Sequence, residues 1–255
     1  MEKYKYSLAS YSILGTREEQ QDSYYHVMDN EGGIALVCDG MGGQKSGRMA
    51  SQMVVEKFKD FYEKRDESES IPSFYLEVID ILDEAVFNIK DENGERLKAG
   101  TTLLAATIKK DDLYWLSIGD SRMYILRDKE FAQITRDHNY SLQLNQQLED
   151  EAISEFYYNM ELKKGNYLIS FIGVGGIDVM DVNHKPFKLQ ENDTILLTTD
   201  GLYKLLPDED IAECLAMENL EEAVTRLIEK ATQNVKKTQD NTTCIAIRIE
   251  EEPNS

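Results

Sequence analysis

The sequence predicts an α+β fold, a four-layer αββα sandwich of two stacked antiparallel β-sheets flanked by helix pairs. Three observations carry this. Strand-like runs follow one another through links too short for crossover helices, which points to antiparallel pairing. Two pairs of amphipathic helices interrupt the strand groups. A helix pair on the outer face of each of two stacked sheets would bury every apolar helix face.

The elements follow in order. Tyr4 to Ile13, Tyr24 to Met28 and Gly33 to Cys38 are rich in β-branched and aromatic residues and read as strands. Met49, Ala50, Met53, Val54 and Phe58 recur at helical spacing across 46–64, as do Phe74, Val78, Leu82 and Val86 across 71–90. The polar link 65–70 between them reads as a solvated loop. Strands return over 101–108, 113–118, 122–126 and 130–135, joined by the turns KKDD, GDS and RDK as a hairpin series. Residues 137–164 are polar and weakly helical and read as a surface, flap-like excursion. Strands near 167–172, 179–189 and 194–199 follow, then helices over 208–214 and 220–235 and a closing strand over 242–249. Pro207 and Asn219 mark the two helix starts.

The 255 residues show no linker, repeat or low-complexity block, so one domain spanning 1–255 is expected, with a short polar tail over 250–255. No apolar run is long enough to span a bilayer, and the polar start MEKYKYSLASYS lacks the features of a secretory signal. A cytoplasmic monomer is expected. A net charge of −20 argues against nucleic acid and anionic membrane as partners. Cys38, Cys214 and Cys244 are odd in number and read as buried apolar residues.

Four segments far apart in the chain each place an aspartate in a glycine- or asparagine-marked turn beside an apolar run: VCDGMGG at Asp39, SIGDSR at Asp120, LLTTDGLY at Asp200 and TQDNTTC at Asp240. Any one Asp-Gly pair is more often plain hairpin punctuation. Their recurrence is the informative part. Carboxylates gathered together repel unless cations neutralise them, and an all-oxygen ligand set suits Mg²⁺ or Mn²⁺ over zinc. Two such ions held by a bridging carboxylate would generate a hydroxide nucleophile for phosphoryl chemistry. Arg17 could clamp phosphate through its bidentate fork, or merely pair with Glu18 or Glu19 on the surface. Asp22 could orient a water or only cap a turn. His26 and His184 read as structural, and His138 as a polar neighbour of the site at most. FIGVGG fails the dinucleotide-loop spacing and lies in no βαβ unit.

These motifs, in this order, resemble the metal-dependent protein serine/threonine phosphatases of type 2C, the PPM family, in their compact bacterial form. GTREEQQDSY is similar to the family's R-x-x-N-x-D opening, VCDGMGG to D-G-x-G-G and AGTT at 99–102 to S-G-T-T. IGDSR, RDHN, TTDGLYKLL and QDNTT complete the series. The resemblance implies Arg17 as phosphate ligand, Asp39 as the carboxylate bridging two metals, and the Gly40 carbonyl as a ligand of one of them. Asp200 and Asp240 would complete the second ion. Asp22 matches an acid that hydrogen-bonds metal-bound water, Asp120 a ligand of a weaker third ion shared with Asp200, and Asn241 an outer support of Asp240.

The implied activity is hydrolysis of phosphoserine and phosphothreonine on proteins, the substrates of a serine/threonine kinase. The alternatives are a small-molecule phosphomonoesterase on the same fold and a catalytically silent phosphoprotein-binding relative. Three positions depart from the family pattern. Gln20 stands where asparagine is usual, and Met41 where some members have a histidine proposed as general acid. ISFIG around Ser170 replaces T-R-A-L-G and lacks its arginine.

Overall fold

The structure, a computed structural model, describes residues 5–43, 45–235 and 238–250. Strands β1 (Lys5–Ile13), β2 (Asp22–Asp29) and β3 (Gly32–Gly42) come first, then helices α1 (Ser46–Lys64) and α2 (Ile71–Phe87). Five strands follow: β4 (Ala99–Thr101), β5 (Leu103–Lys109), β6 (Asp112–Ile118), β7 (Arg122–Arg127) and β8 (Glu130–Gln133). Next come α3 (Tyr140–Glu149) and α4 (Glu155–Glu161), then β9 (Asp181–Val182), β10 (Phe187–Lys188) and β11 (Thr194–Thr198). The chain continues through α5 (Asp200–Tyr203), α6 (Asp208–Leu215) and α7 (Leu220–Gln233) to β12 (Thr242–Glu250). Tyr4 and residues 251–255 of the expected tail lie outside the described residues.

Two antiparallel sheets form. One has the order β1-β12-β11-β7-β8; the other has the order β10-β6-β5-β3-β2, with β4 added to β3 and β9 to β6. Alternation along the strands sorts the core into three apolar layers, the spaces between four structural layers. Ile34, Leu36 and Cys38 of β3 pack outward under α1 and α2, with Val54, Phe58, Phe74 and Leu82. Ala35 and Val37, on the other face of β3, meet Leu197, Ile245 and Ile247 of the facing sheet. Cys244 and Ala246 of β12 point the opposite way, beneath Ile211, Leu215, Val224 and Leu227 of α6 and α7. The αββα sandwich is the observed architecture. The three cysteines are free and buried.

Helix ends follow local chemistry. Ser70 caps α2 by accepting from the Ser73 amide with Pro72 in the first turn, and Asn219 caps α7 by accepting from the Glu222 amide. α6 starts after Pro207 with three acidic residues in its first turn.

Five expectations need correction. The GDS link does not close a hairpin, because β6 and β7 belong to different sheets; Asp120 sits where the chain crosses between them. Asp39 lies not in a turn but inside β3, whose last residues pair with β4 through Gly40 and Thr101. Residues 167–172 form no strand, being tied by single bridges to Asn139 at one end and Thr101 at the other. The excursion over 137–164 holds two capped helices, α3 and α4, with Asn139 and Ser154 as N-caps; short, mostly exposed helices leave too little apolar periodicity to read. The predicted strand over 179–189 is reduced to the short β9 and β10.

Candidate metal centre

A cavity of about 290 Å³ opens at one end of the sandwich, lined by Asp39, Asp120, Asp200 and Asp240 together with Arg17 and Lys204. The fold delivers each aspartate from a different place. Asp39 comes from inside β3, Asp120 from the link between sheets, Asp200 from the first residue of α5, and Asp240 from the residues just before β12. The two glycines that follow aspartates are packing requirements. A Cβ on Gly40 would stand 2.2 Å from the Gly47 carbonyl oxygen, and one on Gly201 would stand 2.1 Å from that of Asn241. Only glycine lets β3 approach α1, and α5 approach the Asp240 segment, this closely.

Asp22 is not on the cavity surface. It lies behind Asp39, directly opposite it in the β2–β3 register, and its Oδ2 accepts hydroxyls from Thr199 at 2.9 Å and Thr243 at 2.7 Å. Asn241 ties the neighbouring loops together: its Oδ1 accepts from the Gln21 amide and its Nδ2 donates to the Leu14 carbonyl. Gln20 donates to Ser12 Oγ and the Ile13 carbonyl, so it braces the loop that presents Arg17. Arg17 does not pair with Glu18 or Glu19. Its guanidinium reaches Asp240 Oδ2 at 2.6 Å, while Glu19 is taken by Arg48.

The electrostatics bear out the crowding. Burial raises the Asp39 carboxyl well above the ordinary range, and the charges of Asp22, Asp200, Asp120 and Asp240 raise it further. Burial lifts Asp22 to about 7 against the opposing hydroxyl bonds. Asp120 reaches about 6, raised by burial and by Asp200 and partly offset by Lys204. Among the described residues no three His, Cys, Asp or Glu side chains converge as a ready-made ion cage. Arg17 and Lys204 instead draw Asp240 and Asp200 toward themselves. The donor set still fits hard cations. It is all oxygen, Asp200 Oδ1 is buried without a partner, and no histidine lines the cavity.

Residues 11–243 match the family model for protein phosphatase 2C. The chain belongs to that family. A curated relative, the serine/threonine phosphatase stp of Listeria innocua, is 30% identical over 218 residues, covering 84% of this chain and 83% of its own. Among solved structures, the serine/threonine phosphatase of S. agalactiae superposes with a TM-score of 0.82 at 25% identity, covering 96% of this chain and all of its own. The catalytic domain of PstP in complex with two manganese ions superposes with a TM-score of 0.74 at 25% identity over 96% of this chain and 99% of its own. This protein phosphatase 2C member is a protein serine/threonine phosphatase, metal-dependent like its family, and its substrates are phosphoproteins.

Several residues of the site were not assigned from the sequence. Thr102, in the quoted AGTT motif, accepts from the Asp39 amide at 2.8 Å and shares a hydroxyl bond with Ser121 at 2.7 Å, joining two of the aspartate segments. Thr101 Oγ1 donates to the Asp39 carbonyl. Asn166 and Leu168, just beyond the flap helices, reach the cavity wall. His138 does not face the cavity. Its Nδ1 accepts from the Gly119 amide and its own amide donates to the Gly119 carbonyl, so it braces the turn carrying Asp120. Ser170 is turned inward onto the Val179 carbonyl. Lys204 had a legible signal, standing four residues after Asp200. Among the described residues no helix is long and apolar enough to cross a membrane.

Proposed function

We propose that the cavity hydrolyses phosphoserine and phosphothreonine esters on proteins with two divalent ions, Mn²⁺ or Mg²⁺, held by Asp39, Asp200, Asp240 and the Gly40 carbonyl. The observation that carries this is the convergence of four aspartates from four separate segments on one cavity, with Asp39 destabilised by its acidic neighbours. Such a cluster is stable only when cations neutralise it. When bound, the ions supply Lewis acidity and the activated water of the hydrolysis.

The chain's own residues do the rest. Asp39, in mid-strand and fixed at its amide by Thr102, is the carboxylate suited to bridge. Asp22 stands behind it with Oδ2 held by two threonines and Oδ1 free to accept a further hydrogen bond. Arg17, released from Asp240, turns its fork onto the phosphate oxygens, positioning the group and offsetting its charge. Asn241 keeps the Arg17 loop and the Asp240 segment in register. Met41 lines the cavity and cannot donate a proton, so protonation of the leaving group falls to another group.

The test uses a phosphothreonine peptide and p-nitrophenyl phosphate, each with Mn²⁺, with chelator and with Asp39→Asn. Turnover of the peptide that needs Mn²⁺ and is lost in Asp39→Asn is expected. Turnover of the small ester alone would favour a small-molecule phosphatase, and full activity in chelator would refute the metal mechanism.

A further inference from the structure

Lys204 enters the acidic cavity from α5, the short helix that begins at Asp200. Four residues on, it lies one turn along the same face, and its ammonium meets Asp200 Oδ2 while standing 3.9 Å from Asp120 Oδ2. The adjacent residue fixes the other half of the pair. Tyr203 donates its hydroxyl to the Asp120 carbonyl at 3.0 Å, and its ring lies under the Arg122 guanidinium at 3.7 Å. α5 therefore holds the backbone of Asp120 through one residue and faces its carboxylate through the next. Burial alone would favour a neutral amine, but Asp200, Asp120 and Asp39 outweigh it and keep the ammonium charged. The side chain is 44% exposed, so a competing ion can reach the same oxygens.

We propose that Lys204 is a tethered cation for the Asp120–Asp200 pair, occupying the place a peripheral divalent ion would take and admitting that ion only when displaced. The inference rests on reading the cavity as a metal centre. An ammonium brings one charge and three donors to oxygens that would otherwise repel. It joins the two aspartate segments without supplying Lewis acidity, and because it uses the same lone pairs as an incoming ion, the two compete one for one.

The experiment counts Mn²⁺ bound by the full chain, by calorimetry and equilibrium dialysis, in wild type, Lys204→Met, Lys204→Arg and Lys204→Met with Asp120→Asn. Melting of each in chelator is measured alongside. Lys204→Met is expected to take one more ion than wild type, or to bind its weakest ion about tenfold or more tightly, as loss of a positive charge a few ångströms away allows. Asp120→Asn should abolish that gain, Lys204→Arg should bind as wild type does, and Lys204→Met should melt lower in chelator. Equal ion counts and affinities in wild type and Lys204→Met would overturn the proposal, whether or not melting changes. If wild type binds no Mn²⁺, the metal-centre reading itself fails and takes this one with it. A gain in Lys204→Met that survives Asp120→Asn overturns the assignment to this pair alone.

Discussion

Asp22 and Asp39 face each other directly across the β2–β3 ladder, with the Asp22 carboxyl buried and its Oδ1 without a partner. Like charges at opposite ladder positions repel, and here burial compounds the repulsion. The Asp22 carboxyl is raised from 3.8 to about 7, chiefly by burial, and Asp120 to about 6. Raised folded-state values mean that the folded protein binds more protons than the unfolded chain between about pH 4 and pH 7. The stability these groups contribute is therefore present below about pH 4 and is lost as pH rises through their folded values. In chelator, the urea midpoint should fall as pH is raised from about 5 to 8, and Asp22→Asn should flatten part of that fall. Added Mn²⁺ should stabilise more as pH rises, because ligands must be deprotonated to bind it. A midpoint in chelator that rises over this range would contradict the carboxylate cluster.

Arg17 gives its guanidinium to Asp240, a use that competes with the one proposed for it on phosphate. On that proposal, Arg17→Ala removes both the fork for the phosphate and the counter-charge of Asp240. Charge-assisted hydrogen bonds contribute about 1.5–3 kcal/mol, so kcat/KM on a phosphopeptide should drop roughly 10- to 100-fold. Affinity for Mn²⁺ should hold or improve, since Asp240 is freed. Arg17→Lys should recover little, because an ammonium cannot make the two parallel bonds. Weaker Mn²⁺ binding in Arg17→Ala would mean that the guanidinium organises the ligands instead of competing for one.

Gly201 tests whether the second Asp-Gly pair is a packing device. A methyl there would lie 2.1 Å from the Asn241 carbonyl oxygen, a backbone atom that can yield only if α5 moves. Gly201→Ala should cost about 1–3 kcal/mol by overpacking and displace Asp200 from Asp240. Mn²⁺ affinity should fall with it. Gly94→Ala is the control, since no atom lies within 4 Å of its Cβ position; its φ of +83° confines its cost to backbone strain. Unchanged Mn²⁺ affinity in Gly201→Ala would separate the glycine from the site.

The sandwich and the aspartates were legible because both are written locally. Period-two runs and paired amphipathic helices give the layers, and each aspartate stands out beside an apolar run regardless of distant neighbours, although Asp39 lies inside β3 and not at its end. What stayed hidden depends on contacts distant in sequence. That β6 and β7 part company at Asp120 is decided by which strands each meets, not by the GDS residues between them. Thr199 and Thr243 read as ordinary strand threonines until both hydroxyls are found on Asp22, 177 and 221 residues away. Arg17 gave no local sign of Asp240, 223 residues on. Lys204 is the exception: its signal was local, at helical spacing from Asp200, but the segment read as a turn and not as a helix.

The FIGVGG loop binds a carboxylate, though one belonging to the protein. Gly173, Gly175 and Gly176 all take positive φ, and their amides converge on Asp83 of α2: Gly173 donates to Oδ1 at 2.6 Å, Gly175 to Oδ2 at 3.1 Å and Gly176 to Oδ2 at 2.7 Å. The carboxylate thereby fixes the chain that leads from the cavity wall at Leu168 back to the second sheet. Asp83→Asn keeps the shape but replaces one acceptor with a donor facing amide donors. Losing charge-assisted bonds and burying an unmatched amide should cost about 2–3 kcal/mol. At this chain length that lowers the melting temperature by roughly 4–12 °C. None of the three glycines lines the aspartate cavity, so well below the melting point Asp83→Asn should bind Mn²⁺ and turn over p-nitrophenyl phosphate as wild type does. A melting temperature unchanged by the substitution would show that the three amides find water as good a partner as Asp83.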